Sequence, residues 1–214
     1  MLLFHQSLLG RPTVLLKSDS LLLQRQQLKS MDDRDSTVPM RPRFGKQLFR
    51  GTCMVFGLNT LASALLIALT ENTSKWNKTD APLVLKQYRN TFTKPPVIDG
   101  DLWYINYLGH PYQGACYYNA LRCQGATWWQ SGLFSIVHST LWEYVAEGGM
   151  EQPSMQDLIV TPIAGSLLGE LIHFSTLRMG RNGFTWYEKA FVCVFNPMYV
   201  LKNGLRKKAM LYHL

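Results

Sequence analysis

The sequence predicts an all-α protein: a small helical bundle with an N-terminal membrane anchor helix and partly membrane-embedded helices. Three observations carry that expectation. A charge-free apolar run extends from Gly51 to Leu69 behind a basic cluster. Further apolar stretches, Thr127 to Ala146, Ser154 to Leu177 and Trp186 to Leu201, have helical length and are bounded by helix-starting or helix-ending residues. No stretch alternates apolar and polar residues with the period of two that a half-buried strand needs.

Residues 1–50 read as a basic extension, disordered or mis-assigned to the chain, with short aliphatic patches but no sustained amphipathic period. Met40 opens a basic-then-apolar layout, that of a signal sequence or signal anchor, so translation is expected to begin there unless residues 1–39 are a disordered extension. Residues 51–70 are then the transmembrane anchor or signal segment, since a spanning helix needs about 20 apolar residues. Ala62-Ser63-Ala64 has the form of a cleavage site, but apolar residues continue to Leu69, which favours an uncleaved anchor. Residues 71–101 read as a polar linker with turn signals at Pro95-Pro96 and Asp99-Gly100-Asp101. Residues 102–203 form the helical domain, and residues 204–214 a basic tail.

Within the helical domain, Pro111 suits the first turn of a helix ending near Gly125. A second helix covers Thr127 to Ala146 and closes at Gly148-Gly149. Ser154, with Asp157 three residues on, marks the start of a third, which carries Pro162 as a kink. The last apolar segment breaks at Asn196-Pro197.

A net charge of +8 raises the question of nucleic acid. Its distribution answers otherwise. Arg41, Arg43, Lys46 and Arg50 precede the apolar run, and Arg206, Lys207 and Lys208 follow the last one. Basic residues flanking apolar segments are cytoplasmic-side anchors under the positive-inside rule. No nucleic-acid motif accompanies them, so the expected partners are membrane lipid or another envelope protein, and not nucleic acid. The mean hydropathy of −0.07 requires polar stretches beside any membrane part. The four cysteines form no C-x-x-C pair, which argues against a zinc ribbon. Cys116 and Cys123 would stand roughly 10 Å apart on one helix, too far for a disulfide.

Glu143 and Glu147 are four apart, on one face of the second helix. Two like charges so placed repel unless a cation or a shared proton relieves them. With His110 on the neighbouring helix they form the candidate catalytic set. Arg122 is the second cation available to them, and Arg122, Ser154, Asp157 and Glu170 make up a structural polar cluster. Asp157, at a helix start, is satisfied by backbone N–H groups. Glu170 and His173 have the E-x-x-H spacing of di-metal carboxylate bundles, but such bundles need it twice. Gly165 and Gly169 form a small-x-x-x-small stripe for close helix packing. No Walker loop, dinucleotide fingerprint, G-x-S-x-G elbow or H-E-x-x-H appears. No cofactor is therefore expected, a divalent metal being the one group the acids would admit.

Three ordered blocks resemble a known family. Asn106 to Gly114 (NYLGHPYQG), with Tyr117, Tyr118 and Arg122, resembles the opening of the bacterial envelope family known as domain of unknown function 3943. Ser139 to Glu147 (STLWEYVAE) resembles its second block. Pro153 to Gly165 (PSMQDLIVTPIAG), with Gly169 and Glu170, resembles its third. The resemblance implies a cell-envelope location, the inner membrane being favoured, and no established activity. The order of acid pair, Ser-x-x-Asp and Gly-x-x-x-Gly is more remotely similar to VanZ-like membrane proteins. The Asp-x-x-x-Asn of those proteins is missing here, where Asp157 is followed four residues later by Thr161. The leading functional expectation is an uncharacterised envelope membrane protein acting by packing against lipid or a partner. The alternative is a membrane-associated hydrolase or transferase using His110, Glu143 and Glu147 around a water or a divalent metal.

Overall fold

The computed structural model describes residues 43–68, 81–98 and 100–205. The expected Met40 start, the extension up to residue 42 and most of the basic tail lie outside them; the last residues of the stretch read as a disordered extension, from Phe44 to Arg50, are helical and begin the helix expected from Gly51. Helices make up the fold: α1 (Phe44–Ala68), α2 (Ala81–Thr93), α3 (His110–Arg122), α4 (Trp128–Leu141), α5 (Met155–Gly180), α6 (Trp186–Phe195) and α7 (Pro197–Asn203). Two π-helical turns join them, Ile105–Gly109 running into α3 and Trp142–Ala146 continuing α4. Among the described residues the β-pairing amounts to one isolated bridge, Val97 to Ser154.

The helix starts follow from local chemistry. Thr127 and Gln130 form a capping box at α4, as do Thr185 and Glu188 at α6. The Ser154 hydroxyl caps α5 by accepting from the Asp157 N–H at 3.1 Å. Asn196 caps α7, with Pro197 in its first turn, where a missing N–H costs nothing. The α3–α4 connection turns at Gly125, whose φ of 94° is left-handed territory open to glycine.

Helices α3 and α5 run parallel and in register. Arg122 meets Glu170, Asn119 meets the Gly169 carbonyl and Tyr118 meets Glu170, at separations of 48 to 52 residues. Helix α4 returns antiparallel along both, with the Ser135 hydroxyl on the Gly114 carbonyl and the Ser139 hydroxyl on the Asp157 carbonyl. The contact of α3 with α5 is made through missing side chains. A Cβ on Gly114 would stand 1.8 Å from the Thr161 carbonyl oxygen, and one on Gly165 2.5 Å from the Gly114 Cα. Gly169 lies against the Tyr118 ring. The small-residue stripe is thus the seat of α3.

Two expectations about layout change. Helix α1 is more than a free anchor. Its Val55 is fully buried in the core with Tyr117, Ala120, Leu121 and Phe134. Its Asn59 accepts from the Tyr117 hydroxyl, and its Gln47 donates to the Gln124 carbonyl. The stretch read as a polar linker holds α2, which is tied to the end of the α4 arm by Tyr88 and Thr91 on the carbonyls of Val145 and Gly148. Turn residues alone misled there, because the amphipathic run Leu83 to Phe92 lies ahead of them.

Gly114→Ala and Gly165→Ala are each expected to cost about 1–3 kcal/mol by overpacking. Gly132→Ala, whose Cβ meets only the Ser166 hydroxyl at 3.9 Å, is expected to leave stability unchanged or raise it by about 0.5–1 kcal/mol. Thermal unfolding in detergent separates the two outcomes.

Candidate functional site

Each π turn adjoins a residue of the polar centre. The first ends where His110 begins α3, and the second carries Glu143. Such turns insert backbone into a helix and are frequent at functional sites. Asp157 comes from the first turn of α5. His110 Nε2 stands 3.5 Å from Asp157 Oδ2. One ligand atom from each of His110, Glu143 and Asp157 lies within 4.8 Å of the other two. All three side chains are buried, with 7%, 2% and 3% of their residue surfaces exposed. Ser154 supports two of them. Its N–H donates to Glu143 Oε2 at 2.9 Å, and its hydroxyl accepts from the Asp157 N–H.

Glu147 belongs to the field of this centre without joining the three. It is half-buried as a residue, its carboxyl being the enclosed part. In the π turn the Glu147 N–H bonds five residues back, to Trp142. The i, i+4 stacking expected of an α-helix therefore does not set its direction. Burial first, then the negative charges of Glu143, Glu151, Asp157 and Asp101, holds its carboxyl well above the usual carboxylate range.

The structure divides the four residues read as one polar cluster. Ser154 and Asp157 lie in the centre with His110. Arg122, twelve residues or about 18 Å along α3 from His110, pairs with Glu170 instead. That pair is a two-pronged fork, Nε to Oε2 at 2.9 Å and Nη2 to Oε1 at 3.0 Å, with the Tyr118 hydroxyl donating to Oε2 at 2.6 Å. The Arg122 Nη1 also donates to the Ala126 carbonyl, closing the turn after α3. The parallel register forces this pairing, since Arg122 stands three turns past the level of Asp157. The E-x-x-H spacing forms no metal group: Glu170 faces Arg122, and His173 Nδ1 lies 3.8 Å from the Cys123 thiol. Among the described residues, His110, Glu143 and Asp157 are the group that converges at ligand spacing. The sequence places Asp157 near His110, Glu143 and Glu147 and gives it a structural role at a helix start; in the structure the cap of that helix is Ser154, and the Asp157 carboxyl faces His110.

Residues 95–198 match the family model for the domain of unknown function 3943. This stretch is a DUF3943 domain. It takes in the three residues of the centre, the Arg122–Glu170 fork and the Gly114–Gly165 contact, and leaves α1 and α2 outside. No curated protein and no solved structure matches the chain. Nothing in the comparisons supports the more remote likeness to VanZ-like proteins.

The sign of the Glu147 shift sets a pH dependence. A carboxyl with a raised folded value binds its proton more tightly in the fold, so its contribution to stability is full below the ordinary carboxylate pKa. It is lost as pH rises through the folded value. The contribution of Glu147 is expected to fall as pH rises above about 4.5, so that Glu147→Gln gains stability over the wild type as pH rises and unfolds later at neutral pH. Unfolding curves of both proteins between pH 4 and 8 check this, and parallel curves would refute it.

Proposed function

We propose that the protein is a bacterial inner-membrane protein of the cell envelope, and that it works by packing against lipid or another envelope protein. One observation carries this. Among the described residues, the two helices long and apolar enough to cross a membrane, α1 and α5, leave their most apolar stretches largely uncovered by protein, only 11% and 33% buried. On α1, Phe56, Leu61 and Leu65 are all at least 60% exposed, and on α5 Leu167 and Leu171 are too. Such faces are stable against lipid tails or a partner and costly in water. At about 1.5 Å per residue either helix exceeds the roughly 30 Å of a hydrocarbon core. Exposed aromatics stand near both ends of the bundle: Trp103, Tyr104 and Tyr107 before α3, and Trp128, Trp129 and Trp186 at the other end. Amphipathic rings favour the two membrane–water interfaces.

The direction of the helices supports an orientation. The start of α1 meets the end of α3, which meets the later part of α5. Arg43, Lys46 and Arg50 therefore share an end with Arg178 and Arg181, while Lys86, Arg89 and Lys94 lie with the opposite end, through α2. The larger basic group is the cytoplasmic one under the positive-inside rule. The His110–Glu143–Asp157 centre then sits towards the extracytoplasmic side. The packing of Val55 and Asn59 supports α1 as an uncleaved anchor, because cleavage would remove core residues.

The His110–Asp157 contact favours a second reading, a membrane-associated hydrolase or transferase. An imidazole oriented by one carboxylate, with a second close by, is equipped for general acid–base work. On this reading Glu143→Gln abolishes turnover in detergent-purified protein and leaves its helicity intact.

The membrane reading is tested by alkaline washing of cell membranes. Wild-type protein is expected in the pellet. Lysines at Leu61 and Leu65 together are expected to release it or stop its insertion, each central charge costing about 2.5–3.5 kcal/mol. A cysteine replacing Lys46 is expected to escape a membrane-impermeant maleimide in intact spheroplasts, and one replacing Gln152 to react. The reverse labelling overturns the orientation, and a freely soluble wild-type protein overturns the whole reading.

A further inference from the structure

We propose that His110, Glu143 and Asp157 are the protein ligands of one divalent metal ion, with Asp157 in the role that spacing alone would give Glu147. The geometry comes first. Ligand atoms about 2.0–2.2 Å from one ion stand roughly 3–4 Å from one another. His110 Nε2 and Asp157 Oδ2 are at that spacing already, at 3.5 Å, and the third ligand atom lies within 4.8 Å of both.

The donor set is the second argument. One imidazole and two carboxyl groups, the kind of set a divalent ion accepts, are brought from three separate elements to a site that is more than nine-tenths buried on all three residues.

The third argument is the support behind the ligands, an observation independent of the cluster itself. Metal-binding carboxylates are oriented by hydrogen bonds from groups behind them. One residue does that for Glu143 and also shapes the helix start that carries Asp157. Ser154 holds Glu143 Oε2 through its N–H and fixes the backbone under Asp157 through its hydroxyl. Val97 clamps that same corner, its N–H and carbonyl bonding Pro153 and Met155 across the isolated bridge. One imidazole and two carboxylates are ligands for zinc, manganese or ferrous iron rather than for a soft ion such as copper(I). Three protein ligands leave coordination positions for water, as in metal sites that do chemistry. The proposal names the cofactor of the hydrolytic reading without depending on turnover: a protein that binds the ion and hydrolyses nothing retains the site and loses that reading.

The test uses the full chain, purified in detergent, stripped with a chelator and titrated separately with Zn²⁺ and Mn²⁺, the retained metal being counted by mass spectrometry after desalting. One ion per chain is expected, with a rise in the unfolding temperature. Glu143→Gln and Asp157→Asn are each expected to weaken binding at least about 100-fold, and Glu170→Gln not at all. Pulsed EPR of Mn²⁺ on the wild-type protein is expected to show coupling to a histidine nitrogen, which decides the matter even where a variant fails to fold. Folded wild-type protein that takes up neither ion overturns the proposal. So does bound Mn²⁺ with no nitrogen coupling, or equal uptake by the Glu143→Gln, Asp157→Asn double variant.

Discussion

The close approach of α3 and α5 at Gly114 and Gly165 is the constraint on which the rest of the domain depends. With no Cβ on either residue, the two backbones touch directly, the would-be Cβ of Gly114 falling almost on the Thr161 carbonyl. A contact of that kind locks translation as well as distance, because only one register puts glycine opposite glycine. Everything along the pair is then placed. One turn before Gly114, His110 faces Asp157, and two turns after it, Arg122 faces Glu170.

Parallel neighbours require a return path, and α4 supplies it. Its serines bond to backbone carbonyls of the two helices it packs against, Ser135 to α3 and Ser139 to α5. Small hydroxyl side chains allow this close packing and give up little side-chain freedom. At the end of α4 the backbone widens into a π turn and delivers Glu143 to the Ser154 N–H. The cost of burying carboxylates is thus concentrated at one end of the bundle. The opposite end holds the Arg122–Glu170 fork, so the two ionisable regions are separate, with glycine and hydroxyl contacts between them. That arrangement is consistent with a bundle in lipid, where polar groups are tolerated only when enclosed.

The helices were legible in the sequence because their signals are local. Thr127, Ser154 and Asn196 announce helix starts by bonding N–H groups two or three residues away, and Gly125 announces a turn by its own backbone freedom. The stripe of Gly165 and Gly169 was readable as a packing face for the same reason: its spacing repeats with the helix. Helix α2 was hidden because the turn signals that follow it, at Pro95-Pro96 and Asp99-Gly100-Asp101, outweighed its short amphipathic run. The π turns left no trace, since an inserted residue is chosen by the packing around it and not by propensity.

The polar residues divide along the same line. The sequence by itself determined that His110, Glu143, Asp157 and Glu170 would be costly to bury, that Ser154 would cap a helix, and that Gly165 would meet another backbone. It could not decide which carboxylate answers which cation. Arg122 is nearer in sequence to Glu143 than to Glu170, yet it is Glu170 that it holds. Only the parallel register of α3 and α5, set by a glycine contact made across 51 residues of chain, decides that Asp157 and not Glu147 completes the centre with His110. Pairing between distant residues depends on the phase and direction of whole helices, and no residue carries that information in its own type.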